Sequence, residues 1–282
     1  PVGDLRWKAP VEIFKNNNLI KSKANNFCIQ KPSGMGGSEF NGDEFFSGSE
    51  DCLYLDIKAP KSKSNNLLPV MFWIHGGGNT SGLKDIYDFS KMVRKHNVIV
   101  VTINYRLGPF GWFTHPSIQS LQDGDDKTSN FGTLDIIAAL KWVRSNISKF
   151  GGNPENITIF GESAGGHNVL SLLASKKAKG LFHKAISQSG YTTSISTHQA
   201  YRQDKSSSTS EHTSWKIVNK VLEKAKLPPQ KSLSNIEIRK TLKNVDARDF
   251  FLNYSDRPSY QEIPLLVADG IAIPVDGLKE SL

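Results

Sequence analysis

A serine stands between two glycines where a β-branched run gives way to a helical pattern, in "NITIFGESAGGHNVL", residues 156–170. A serine hydroxyl is a poor nucleophile at neutral pH. It needs a base to take its proton and donors to stabilise the oxyanion that its attack creates. A sharp Gly161-Glu162-Ser163-Ala164-Gly165 turn would lift the Ser163 oxygen out of a sheet, and side chains at the flanking glycine positions would collide with neighbouring backbone. A helix opening at Ala164 would point free N–H groups and its positive end at the developing charge. Alone the pattern is weak, since a bland turn serine would read the same way. The strand before it and the helix after it supply the required context.

A second element strengthens the case. "VMFWIHGGGNTSG" (70–82) is a strand running into His75-Gly76-Gly77-Gly78. Consecutive glycines leave backbone N–H groups unobstructed by any Cβ, which suits them to cradle an oxyanion. A flexible loop would also use such a triplet, but the two elements in this order are hard to obtain by accident.

Positioning these two turns requires a sheet. Short apolar runs at 53–57, 69–75, 98–104, 157–160 and 184–189 read as buried strands. Between them, "TLDIIAALKWVRSNI" (133–147) places Ile136, Ile137, Leu140, Val143 and Ile147 on one helical face. A second helix is predicted at 164–178, and a helical pair at 215–227 and 235–245. Strands alternating with helices predict an α/β fold with a central, mostly parallel sheet covered on both faces. Residues 11–50 read as long loops. Residues 192–214, polar and low in complexity, read as a mobile surface excursion.

The bulk properties exclude several classes. The 282 residues are 38% hydrophobic and 22% charged, and no apolar run reaches membrane-spanning length. The net charge of +8 comes from scattered lysines without interleaved aromatics, which points to a solvated surface rather than a nucleic-acid footprint. Cys28 and Cys52 are the two cysteines. Spacing alone leaves them free or paired, and a bridge would stabilise by roughly 3–4 kcal/mol. Sequons at Asn79, Asn146, Asn156 and Asn253 are compatible with secretion but are weak evidence for it.

Together these motifs resemble the type-B carboxylesterase/cholinesterase family of α/β-hydrolases. "PVGDLRWKAP" (1–10), "SEDCLYLDI" (49–57), "INYRLGPFGW" (103–112), the run 130–166 and "FHKAISQSG" (182–190) follow the family's order, and only 192–250 is hard to align. The resemblance implies one partial α/β-hydrolase domain over 1–282 and a serine carboxylic ester hydrolase. Ser163 would be the nucleophile, and Gly77, Gly78 and Ala164 would supply the oxyanion N–H groups. Glu162 would be the acidic neighbour that shapes the field at the base. Cys28 and Cys52 would form the family's first disulfide, implying a secretory compartment, with Arg6 and Glu50 bridging beside it. Arg106, Asp135 and Trp142 match structural positions.

The resemblance implies no metal, no cofactor, and a small-molecule ester as substrate. Choline esters are disfavoured, because no tryptophan lies between Cys28 and Cys52 to bind a quaternary ammonium by cation–π attraction. Asn79 stands where many relatives carry a bulky apolar residue. Trp73, Phe110, Trp112 and Phe113 would either line a cleft or pack the core. The family's acid and histidine are expected beyond residue 282. The seven internal histidines, 75, 96, 115, 167, 183, 198 and 212, read as ordinary core or surface residues. On this reading residues 1–282 alone would be nearly inert. The competing readings are a non-catalytic adhesion ectodomain of the neuroligin or neurotactin type, and a cholinesterase.

Overall fold

A computed structural model describes residues 2–11, 26–36, 46–61, 66–201, 213–254 and 266–282. Five strands form the central sheet: β1 (Leu55–Lys58), β2 (Leu68–Ile74), β3 (Ile99–Ile103), β4 (Gly152–Glu162) and β5 (Lys184–Gln188). Their spatial order is β1-β3-β2-β4-β5, with β1 antiparallel to β3 and every other pair parallel. β3 is buried along its whole length, which is why "IVVTI" shows no alternation.

The helices follow from the same patterning. α1 (Ser90–His96) precedes β3, and two single-turn helices, α2 (Gly108–Gly111) and α3 (Pro116–Gln119), follow it. α4 (Phe131–Asn146) buries Ile136, Ile137, Leu140 and Val143, and α5 (Ala164–Ala174) buries Val169 and Leu172. Both pack on the sheet face that carries Val70, Phe72, Ile74, Val101, Ile157 and Ile159. On the alternate face Trp73 and Phe160 pack at a tilt against each other, and both meet Phe89.

After β5 come a short strand and a short helix, β6 (Ser194–Ser196) and α6 (Thr197–Tyr201). Then follow α7 (Ser214–Lys224), α8 (Asn235–Asn244), α9 (Ala247–Tyr254), β7 (Leu266–Ala268) and α10 (Gly277–Glu280). Ser234 caps α8 by accepting from the Glu237 N–H while the Glu237 carboxylate accepts from the Ser234 N–H, a reciprocal box legible in "SNIE".

The excursion expected at 192–214 is corrected at its ends. Residues 194–196 pair in parallel with β7, and Thr213 and Ser214 are buried; positions 202–212 lie outside the described residues. Of the loops expected at 11–50, the described parts pair through isolated bridges between Cys28 and Ser49 and between Gln30 and Ser47.

A second core gathers around Trp7, which stacks on Phe113 at 5.0 Å and meets Phe250 edge-on at 5.1 Å. Ile217, Val218, Val221 and Leu222 of α7 and Ile238 and Leu242 of α8 complete it. Phe110 and Phe113 belong to this cluster and Trp112 to the sheet core. With Trp73 also buried, all four aromatics pack interiors, and the cleft-wall alternative falls.

Arg6 ties the two cores together. Its guanidinium grips Glu50 in a two-pronged ion pair (2.7 and 2.6 Å) and donates to the carbonyls of Leu242 and Val245 at the end of α8. A cation there also complements the negative end of the helix dipole.

Cys28 and Cys52 are bonded to each other beside this ion pair. Because the crosslink restricts the unfolded chain, a Cys28→Ser, Cys52→Ser variant is expected to lose about 3 kcal/mol in urea titration. Unchanged stability would show that the pairing contributes nothing.

Candidate active site

β4 delivers the chain to Ser163, which sits at φ 56° and ψ −120°. A non-glycine residue there is strained and persists only when its surroundings over-determine it. They do so here. The Ser163 N–H donates to the Gln188 carbonyl at the end of β5 (2.9 Å), and the Ser163 carbonyl accepts from the His167 N–H to open α5 (2.9 Å).

The flanking glycines explain why the turn can be this tight. A Cβ on Gly161 would lie 2.5 Å from the Gly165 carbonyl, and one on Gly165 only 2.1 Å from the Ile74 carbonyl oxygen. The end of β2 and the first turn of α5 therefore touch backbone to backbone.

The glycine triplet lies against this turn. A Cβ on Gly76 would come within 2.8 Å of the Glu162 carbonyl oxygen and 3.4 Å of the Ser163 Cβ. The Glu162 carboxylate is beside the same point, and Glu162 and Ser163 are both half-buried. Gly77, Gly78 and Asn79 then take φ values of 92°, 63° and 57°, a left-handed arch closed by Thr80 and Ser81 N–H groups donating to the Gly77 carbonyl. Among the described residues nothing accepts a hydrogen bond from the N–H groups of Gly77, Gly78 or Ala164. Three unspent donors thus sit on the two segments that meet at Ser163.

The expected bystander histidines are elsewhere engaged. His75 Nδ1–H donates to the Gly76 carbonyl (2.9 Å) and its ring stacks on Tyr105. His167 Nε2–H donates to the Thr193 carbonyl (2.8 Å). His115 Nδ1 accepts from the Ser117 N–H, and its Nε2–H donates to Gln230 Oε1 (3.0 Å). His183 Nδ1 accepts from the Ile157 N–H. His96 and His198 are exposed on helices, and His212 lies outside the described residues. None of the described histidine rings is hydrogen-bonded to the Ser163 hydroxyl.

Burial holds His75, His115 and His167 at pKa values of about 4, against an ordinary 6.5. Their folded-state pKa is depressed, so the unfolded chain binds more protons between pH 4 and 6.5. Stability is therefore complete above about 6.5 and is lost as pH falls. Each histidine should contribute about 1.4 kcal/mol per pH unit in that window. Denaturant titrations at pH 7, 6 and 5 should show the decline, and a flat profile would mean that these rings are protonated in the native state.

The other matched positions have structural surroundings. Arg106 and Asp135 form a buried two-pronged ion pair (both bonds 2.7 Å), while Trp142 is a half-exposed ring over Phe150. Among the described residues no three His, Cys, Asp or Glu side chains gather to hold a metal ion.

Sequence reasoning missed three contributors. The Tyr105 hydroxyl donates to the His75 carbonyl (2.6 Å) at the root of the glycine loop. The Asn168 Nδ2 donates to Asn79 Oδ1 (2.9 Å), and Asn directly after a glycine triplet was the available signal, because Asn tolerates left-handed backbone. The Asp269 carboxylate accepts from Thr128, Ser129 and Asn130 and from the N–H groups of residues 271–273, anchoring β7. Its Asp-Gly turn signal was visible, but its partners were not.

Comparison with known proteins agrees with this geometry. The sequence profile described as the Carboxylesterase family matches residues 1–276. A para-nitrobenzyl esterase of Bacillus subtilis is 46% identical over 202 residues, covering 71% of this chain and 40% of that protein. A human protein named cocaine esterase is 51% identical over 146 residues, 51% of this chain and 25% of its own length. A solved PNB esterase structure superimposes on all of this chain at a TM-score of 0.76 and 35% identity, with 54% of that structure covered. The chain thus spans about half the length of the relatives it resembles. The match along nearly its whole length, on this sheet and this serine turn, means that the chain belongs to the carboxylesterase family.

Proposed function

We propose that this chain is the nucleophile-bearing part of a serine carboxylic ester hydrolase. The supporting observation is Ser163 in strained backbone, with three N–H groups on the two segments that meet there for which the described residues hold no acceptor. Ser163 Oγ attacks the ester carbonyl as a histidine from outside residues 1–282 takes its proton. Gly77, Gly78 and Ala164 N–H groups hold the tetrahedral oxyanion. The alcohol leaves with that proton, and water, activated by the same histidine, releases the acid and regenerates Ser163. Glu162, against the glycine loop, biases the field at the base.

The substrate is a small uncharged ester, and no metal or cofactor enters the reaction. The Cys28–Cys52 disulfide favours a secretory compartment. Among the described residues no helix is long and apolar enough to cross a membrane. Of the sequons, Asn79 is unsuited to a glycan, being fully buried.

The deciding experiment is fluorophosphonate labelling of the full-length protein with mapping of the adduct. Modification at Ser163 together with p-nitrophenyl acetate turnover supports the reading. An unlabelled, well-folded protein would favour the adhesion-ectodomain reading, and preference for choline over uncharged esters would favour a cholinesterase.

A further inference from the structure

The loop that carries Gly77 and Gly78 is fixed at both ends by hydrogen bonds to its carbonyls. Tyr105 donates to His75, and the Gly108 N–H donates to Asn79 at 2.7 Å. Neither bond relates the loop to α5, which carries Ala164. Among the described residues a single hydrogen bond does so, from Asn168 Nδ2 to Asn79 Oδ1 at 2.9 Å. Both side chains are fully buried. Asn168 lies in α5 just past its first turn.

We propose that the Asn79–Asn168 amide pair is a positioning latch that sets the spacing between the Gly77 and Gly78 N–H groups and the Ala164 N–H. The inference rests on the hydrolase reading above. Each amide leaves one buried polar atom unmatched, Asn79 Nδ2 and Asn168 Oδ1. An apolar pair of similar volume would hold the two segments together without that desolvation cost. What a directional bond adds is a defined distance and angle. Donors that must meet an oxyanion at hydrogen-bond range are sensitive to errors of well under an ångström. Asn79 serves in a second way, since it takes the left-handed φ of 57° that ends the arch.

The test separates these two contributions in the full-length protein. Asn79→Gly retains the left-handed backbone and deletes the amide, while Asn168→Leu retains bulk and deletes the donor. Each is expected to lower kcat for p-nitrophenyl acetate about 10- to 100-fold with KM changed less than about 3-fold. Affinity for a trifluoromethyl ketone, which mimics the tetrahedral adduct, should fall in parallel. The double variant should be no worse than either single one, because both remove the same bond. A wild-type kcat in Asn79→Gly overturns the latch, as do losses that multiply in the double variant. Should Asn168→Leu fail to fold, Asn79→Gly decides alone. Ser163→Ala is the control: if it leaves turnover intact, the hydrolase reading fails. If it abolishes turnover while Asn79→Gly is silent, only the latch fails.

Discussion

Ser163→Ala is expected to abolish fluorophosphonate labelling and to reduce p-nitrophenyl acetate turnover by the full-length protein roughly 10⁴- to 10⁶-fold, with the fold intact. The asymmetry between activity and stability follows from the geometry. Among the described residues the Ser163 hydroxyl makes no hydrogen bond, and the residue is half-buried, so removing one oxygen leaves no orphaned partner. The N–H donation to Gln188 and the carbonyl bond to His167, which hold the strained φ, are backbone features and survive the change. Stability should therefore stay within about 1 kcal/mol of the parent. Residues 1–282 expressed alone should behave much like the Ala variant, because every described histidine is committed elsewhere or exposed on a helix with no bond to Ser163. Robust turnover by residues 1–282 that depended on Ser163 would mean that a base within this chain had been overlooked. Robust turnover by full-length Ser163→Ala would remove the nucleophile assignment altogether.

Gly165→Ala is expected to be among the most damaging single methyls at the described glycines. The added carbon would lie 2.1 Å from the Ile74 carbonyl oxygen and 2.9 Å from that of His75. Both obstacles are backbone, so no rotamer change relieves the clash. Ile74 ends a strand paired on both sides, and moving it would disturb β3 and β4 together. The cheaper relaxation is for α5 to withdraw from β2, which carries Ala164 away from the glycine loop and turns the Ser163 backbone. We expect a loss of more than about 3 kcal/mol and an activity loss beyond what the folded fraction explains. Chemical denaturation paired with fluorophosphonate labelling under strongly native conditions checks both halves. A variant as stable and as reactive as the parent would show that the strand and the helix are not in the contact described.

The elements around the site were legible to different degrees, for physical reasons. β3 and α4 were clear because a strand buried on both faces and a one-faced helix each leave a periodicity that depends on nothing beyond the segment. The ends of β4 were not: the run read as 157–160 is the centre of a strand that begins at Gly152. Its first residue, Gly152, pairs with Leu68 ahead of a register shift, through backbone that any side chain permits. The short β6 was invisible in polar sequence, because what makes it a strand is β7, some seventy positions later.

The site divides along the same line. Local sequence determined that Ser163 would end a strand, open a helix and require small neighbours, since those demands arise within a few residues. It also determined that the glycine triplet could expose N–H groups. Residue spacing left open what the family resemblance implied, that the triplet serves Ser163 and that Cys28 joins Cys52; the tertiary structure decided these. It alone placed the Glu162 carboxylate beside the loop and brought Asn79 to Asn168. Those are encounters between segments tens of residues apart. Backbone carbonyls and packed surfaces select them, and neither leaves a mark in the order of side chains.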